Sequence, residues 1–199
     1  RNIRRKMTSD ILLAFSQFRD QLPDDEKDDV ALLFHTEPSD DNGTDLRAVH
    51  RDLFPDINLI FTGSKFEQDG INGLYNVVDV TINIASNEGF GLSVAESLMT
   101  ETPVIVNVTG GLQDQCGFRD EKGNLLDPDE HYTFDWGSNH DGRYKDHGEW
   151  VIPIFPAAIN IVGSPVTPYI FDDRCTIPDA ADAIMTWYRR GDDERRKAG

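Results

Sequence analysis

Apolar positions in the first two thirds of the chain follow two rhythms in turn. Ile11, Leu12, Phe15, Phe18 and Leu22 recur at helical spacing behind Thr8 and Ser9, either of which can cap a helix. The acidic turn Pro23-Asp24-Asp25-Glu26 ends that helix, and Val30 to Phe34 then reads as a buried strand. A polar loop runs through Gly43, Leu46, Val49 and Leu53 mark a second helix stopped at Pro55, and Asn58 to Gly63 is the next strand. Ile71, Leu74, Tyr75 and Val78 define a third helix, followed by a strand from Val80 to Ala85. The loop Ser86 to Gly91 leads into a helix from Leu92 to about Glu101, and Pro103 to Val108 forms the last clear strand.

Continuous apolar strands separated by amphipathic helices predict a parallel sheet covered on both faces, with right-handed crossovers. In such sheets ligands bind beyond the carboxyl ends of the strands. The loops that matter are therefore Thr62 to Phe66, Ser86 to Gly91 and Thr109 to Leu112.

From about Asp114 to Pro178 the alternation fails. Residues 127–150 are rich in Asp, Gly, His and aromatic side chains and read as a long excursion. Residues 150–155 and 158–162 are apolar enough for strands, and Pro153 and Pro156 place them at sheet edges. Pro178 opens a helix striped by Ala181, Ile184, Met185 and Tyr188. The chain is thus read as one α/β domain over residues 1–199, with 129–177 an irregular insertion or subdomain within it.

Charge narrows the partners. Nineteen Lys and Arg stand against 36 Asp and Glu, a formal net charge of −17. A protein that follows a phosphate backbone or an anionic membrane needs a basic face, so nucleic acid and such a membrane are both disfavoured. The acid excess reads as solubility or adaptation to salt. No apolar run approaches the ~20 residues that span a bilayer, and no signal-peptide pattern opens the chain. Cys116 and Cys175 lack CxxC spacing, which points to free thiols and a cytoplasmic setting. The chain starts at Arg1 without an initiator Met and reads as cut from something longer.

The segment Ser86-Asn87-Glu88-Gly89-Phe90-Gly91-Leu92-Ser93-Val94-Ala95-Glu96 carries most of the candidate chemistry. A strand ends there, two glycines flank Phe90, and a helix begins at once. Glycine lets the backbone approach a ligand closely, and unbonded amides at a helix start favour anions. Glu96 shares a helical face with Leu92 and Met99, so its carboxylate is expected at the edge of an apolar stripe.

This stretch resembles the glutamate–seven–glutamate motif of GT-B glycosyltransferases of family 4, the group 1 type. The resemblance extends from Asp79 through Pro103-Val104-Ile105 to Gly110-Gly111 and covers roughly residues 1–128. Thr102, where the family usually has Gly, and Gln113-Asp114, where Glu is commoner, depart from it.

The resemblance implies a Rossmann-like parallel sheet with helices on both faces, the C-terminal, nucleotide-sugar-binding half of a GT-B fold. It implies transfer of a sugar from a nucleoside-diphosphate sugar to an acceptor glycan or other hydroxyl compound, with anomeric configuration retained. Glu96 would accept hydrogen bonds from the ribose hydroxyls, and Glu88 would lie against the donor sugar. Backbone amides of Gly89, Phe90, Gly91 and Leu92 would sit near sugar hydroxyls or diphosphate.

Arg1-Asn2-Ile3-Arg4-Arg5-Lys6 resembles the family's loop after its first strand, where an arginine and a lysine grip the diphosphate. Arg1 and Lys6 match the spacing best, and Arg5 is a substitute. Gly63 and Ser64, beyond the second strand, join the donor-binding set. The family needs an N-terminal domain for acceptor contacts, so this chain alone is expected to be inactive. It implies no cofactor beyond the donor substrate, and no metal.

His131, His140 and His147, with Asp135, Asp141 and Asp146, suggest a metal site, but their spacing fits no zinc pattern and none is expected. Two alternatives to the transferase stand: a non-catalytic nucleotide- or sugar-binding module, and another GT-B activity such as a phosphorylase or a sugar-nucleotide epimerase. No GxGxxG follows a strand, which argues against a dehydrogenase.

Overall fold

The computed structural model of the protein describes residues 1–63, 65–126 and 146–198. After a short 3-10 turn at Arg4–Lys6 come α1 (Thr8–Asp20), β1 (Leu32–Phe34), α2 (Leu46–Leu53), β2 (Leu59–Phe61) and α3 (Gln68–Val77). Then follow β3 (Thr81–Asn83), α4 (Leu92–Met99), β4 (Val104–Asn107) and α5 (Gly111–Asp114). The last third contains β5 (Val151–Ile154), β6 (Ala158–Val162), β7 (Ile170–Arg174) and α6 (Ile177–Ala198). All four expected strands are present, each shorter than expected.

The chain is mixed α/β with small parallel sheets. β1 pairs in parallel with β2, Leu33 opposite Ile60, and β3, β4 and β5 form a separate parallel sheet in that order. The one continuous parallel sheet expected from the sequence is therefore not formed among the described residues. The reason is spatial: β1 and β3 line one cleft of about 980 Å³ rather than pairing across it. Neighbouring strands must lie ~4.8 Å apart to bond, so a cleft of this size breaks the ladder.

Alternation along β4 places it between two apolar layers. Val104 and Val106, with Val108 beyond the strand, face Val94, Leu112, Cys116, Phe118 and Val151. Ile105 points the other way, into the larger core of Leu12, Phe15, Phe18, Leu32, Phe34, Ile84, Ile154 and Trp187. That second core is closed by α1 packing on α6. Phe18 meets Tyr188 edge-on at 5.5 Å between ring centroids, and Trp187 is 1% exposed. Burying a side chain of this size contributes on the order of 2–3 kcal/mol.

Two local expectations change. Neither Thr8 nor Ser9 caps α1: Met7 holds the cap position at φ 52°, and the Thr8 hydroxyl donates instead to Asn2 Oδ1 at 2.7 Å. Asn2 is fully buried and donates to the carbonyls of Pro38 and Thr44, so Thr8 ties α1 to the loop beyond β1. The second change is in α4. Its buried face is Val94 and Ser97, whereas Leu92 and Met99 are 68% and 84% exposed. The apolar stripe beside Glu96 is exposed, and Leu92 and Glu96 line the cleft.

In the range 129–177 the structure describes residues 146–177. There β5 is the outer strand of the three-stranded sheet, and β6 and β7 form an antiparallel hairpin. β7 carries Asp172 and Asp173 and has no apolar run, so its sequence gave no strand signal.

Candidate functional site

The site assembles at the carboxyl ends of β3 and β4, where two loops touch backbone to backbone. Gly111 N–H donates to Glu88 O at 2.9 Å. A Cβ on Gly110 would stand 2.2 Å from Glu88 O, and one on Gly111 would stand 2.2 Å from Gly89 O. Any side chain there would push the loops apart, which explains the paired glycines. Gly91 then takes φ 86° as the cap of α4, and Val94 N–H makes a bond back to Gly91 O. The amides of Leu92 and Ser93 precede that bond, and the open end of the helix carries partial positive charge.

Glu88 is 8% exposed and gathers two of the four basic side chains of the opening segment. Lys6 Nζ forms a short ion pair with Glu88 Oε2, and Arg5 Nη1 reaches the same oxygen at 3.0 Å. Arg5 also donates to Asn87 O at 2.7 Å, while Ser86 N–H donates to Arg5 O at 2.9 Å. Burial pushes the Glu88 carboxyl up, but Lys6 and then Arg5 outweigh it and hold it below the ordinary carboxylate value. The result is an ionised carboxylate facing two cations at the start of a helix. Such a cluster can exchange its internal ion pairs for a bound anion.

The remaining candidates spread around the same cleft. Arg1 does not join Glu88: its guanidinium pairs with Asp40 at 2.7 Å, in the loop after β1. Glu96 is exposed and accepts a hydrogen bond from Tyr75 Oη at 3.0 Å. That contact, after burial, raises the Tyr75 phenol well above its usual range. Phe90 is 55% exposed beside the cleft, and its carbonyl accepts from Gln115 Nε2. Gly63 is exposed at φ 70° beyond β2. Ser64 lies outside the described residues.

Several participants escaped the sequence reading. His35 follows β1 directly, stacks on Phe66 at 5.0 Å, and shares a 2.7 Å hydrogen bond with Thr62 Oγ1. The rule that ligands bind past strand ends would have flagged it. Asp172 and Asp173 gave no such signal. Ser86 Oγ donates to Asp172 Oδ1, Asp173 N–H donates to Ser86 O at 2.8 Å, and Thr109 Oγ1 donates to Asp173 Oδ2 at 2.9 Å. Asn107 Nδ2 bridges Ala85 O and Asp173 O at 2.9 Å each. The hairpin thus pins the loop that carries Glu88.

Of the histidine and aspartate set considered for metal, His131, Asp135, His140 and Asp141 lie outside the described residues. His147 Nδ1 bonds to Gly148 O at 2.8 Å, and Asp146 Oδ1 accepts from His147 N–H. Among the described residues no group of three or more His, Cys, Asp or Glu could hold a metal ion, and no helix is long and apolar enough to cross a membrane. Cys116 and Cys175 are free thiols, and burial pushes Cys175 up to about 11. No protein-family model matches this chain, and the search of curated proteins found no match.

Proposed function

We propose that the chain is the donor-binding domain of a retaining glycosyltransferase, the Rossmann-like half of a GT-B enzyme. The observation that carries this reading is the meeting of Lys6, Arg5 and Glu88 at the open end of α4.

A nucleoside diphosphate brings two phosphates whose charge grows as the glycosidic bond breaks. Lys6 and Arg5 would turn from Glu88 to those oxygens, and the first-turn amides of α4 would add fixed donors. Glu88 would then be free to accept from a sugar hydroxyl. Glu96, on the rim of the same cleft, would receive the ribose hydroxyls, since a carboxylate accepts two vicinal hydroxyls well. Transfer also needs the acceptor hydroxyl within about 3–3.5 Å of the anomeric carbon and water kept out. That half of the geometry is assigned to a partner domain, so the chain alone would bind donor without turnover.

Calorimetric titration with UDP, GDP and ADP tests the reading. One of the three should bind, and its 2′,3′-dideoxy analogue should bind more weakly. Glu96→Ala should weaken the parent nucleotide by about 1–3 kcal/mol, the range for a lost hydrogen-bonded charge, and should erase the dideoxy difference. Binding of none of the three sinks the proposal.

A further inference from the structure

The β6–β7 hairpin buries one strand and leaves the other bare. Asp172 and Asp173 of β7 are buried, whereas every residue of β6 (Ala158–Val162) is exposed. Ile159, Ile161 and Val162 are large and apolar, and Ile161 is 70% exposed. Val166 and Tyr169, between the two strands, are exposed as well.

The direction of the backbone groups on β6 follows from those on β7. Asp173 N–H donates to Ser86 O at 2.8 Å, and the Asp173 carbonyl accepts from Asn107 Nδ2 at 2.9 Å. The Phe171 carbonyl likewise accepts from Asn87 Nδ2 at 3.3 Å. Both residues turn their backbone away from β6. Ile159 lies opposite Asp173, and Ile161 lies opposite Phe171. In an antiparallel ladder these are therefore the non-hydrogen-bonded pairs. Ile159 and Ile161 direct their own N–H and C=O away from β7, and among the described residues no strand receives them.

Nothing in β6 keeps a strand off this edge. Sheet edges are commonly guarded by a charge, a proline or a bulge. β6 holds no charge and no proline, and its register with β7 is unbroken. From Trp150 to Phe171 the chain carries no Asp, Glu, Lys or Arg, although 28% of all its residues are charged. The acids of β7 are bonded to Ser86, Thr109 and Arg174, on the side away from the edge or within their own strand. Two copies that each carry a net charge of −17 repel one another, and an uncharged edge is where contact opposes that repulsion least.

The edge is also complementary to itself. With two copies antiparallel about a two-fold axis at Asn160, Ile159 of one copy faces Ile161 of the other. These are the residues with outward backbone groups, so each such pair exchanges both of its bonds. Asn160 meets Asn160, and an amide side chain both donates and accepts. The contact uses the open edge of each copy, so it closes at two copies instead of propagating.

We infer that β6 is a self-association edge, which pairs antiparallel with β6 of a second copy of this chain and joins the two hairpins into one sheet across a two-fold axis.

The test is sedimentation of the chain without nucleotide, so its outcome does not depend on the donor reading. The mass should double between about 1 and 500 μM protein, as expected of an interface at the small end of the size range. Salt at about 0.5 M should strengthen pairing by screening the negative charge of the two copies. Ile161→Pro removes an N–H that β7 does not use, and should leave a folded monomer. Asn160→Asp and Asn160→Lys each set like charges face to face, so each alone should pair about fivefold more weakly than the parent. An equimolar mixture of the two sets Asp against Lys and should restore pairing, which decides the matter if the proline variant does not fold. A mass that stays that of one chain over the whole range overturns the inference and leaves the edge to a strand of another protein. So does a dimer that a folded Ile161→Pro leaves intact, or a mixture that pairs no more tightly than its two components.

Discussion

Lys6 and Glu88 stand 82 positions apart in sequence and form an ion pair at the mouth of the cleft. The pair depends on two independent placements. The 3-10 turn at Arg4–Lys6 carries the ammonium across the carboxyl end of β3, and the packed loops at Gly89 and Gly110-Gly111 hold the carboxylate beneath it. Because both groups are removed from most solvent, their charges act over short distance and in a reduced dielectric.

Lys6, Arg5 and Arg1 should separate in a binding assay. Lys6→Ala is expected to weaken nucleoside diphosphate affinity by about 1.5–3 kcal/mol, the value of a hydrogen bond to a charged group. Arg5→Ala should fall in the same direction. Arg1→Ala should change affinity by less than about 0.5 kcal/mol, since the Arg1–Asp40 pair is a surface one. Calorimetry on the three variants decides this, and a larger loss for Arg1→Ala than for Arg5→Ala would return the diphosphate grip to Arg1.

The hairpin residue Asp173 should affect binding without touching the ligand. Asp173→Ala removes the carboxylate that accepts from the buried Thr109 hydroxyl, which costs about 1–3 kcal/mol of stability. It also loosens the Ser86–Glu88 loop, so nucleotide affinity should drop as well. Denaturant unfolding and titration of the same variant give both numbers. Lost stability with unchanged affinity would mean that the hairpin supports the fold and not the site.

Acid should weaken the site in a defined window. The folded Glu88 carboxyl lies below its ordinary value of 4.5, so its pairing with Lys6 and Arg5 stabilises the fold above that pH. The contribution is lost as pH falls through the lowered folded value. Glu88→Gln should therefore be less stable than the parent near neutrality, and the gap should close in acid as pH falls below 4.5 and through the lowered folded value. Urea unfolding at a series of pH values checks this. A gap that stays constant into acid would show that Glu88 is not held ionised by those cations.

Much of this layout was legible because periodicity and glycine placement speak locally. The strands at Val104 and Thr81 and the helix start at Gly91 follow from residue type and spacing, whereas the close approach of Gly110-Gly111 to the Glu88 loop is visible only in the structure. The division of the parallel strands into two sheets was not legible, because pairing depends on what lies between Leu33 and Ile82 in space. The exposure of Leu92 and Met99 was hidden for a related reason. Helical spacing identifies a stripe, but only tertiary packing chose Val94 and Ser97 as the face to bury. Asp172 and Asp173 were invisible as site residues because two adjacent acids in a strand usually face solvent.

The most direct measurement is the map of backbone amide shifts when a nucleoside diphosphate is titrated into the isotopically labelled chain. The account predicts that shifts concentrate at Arg5, Lys6, residues 86–93 and Gly110-Gly111, with saturation at one nucleotide per chain. Shifts confined to Leu33 and Ile82 would place the nucleotide in the slot between the sheets. Shifts at Thr100, Glu101 and Arg195, which line a second cleft of about 400 Å³, would place it there instead. Either result would contradict the assignment of the Lys6–Glu88 cluster as the donor site.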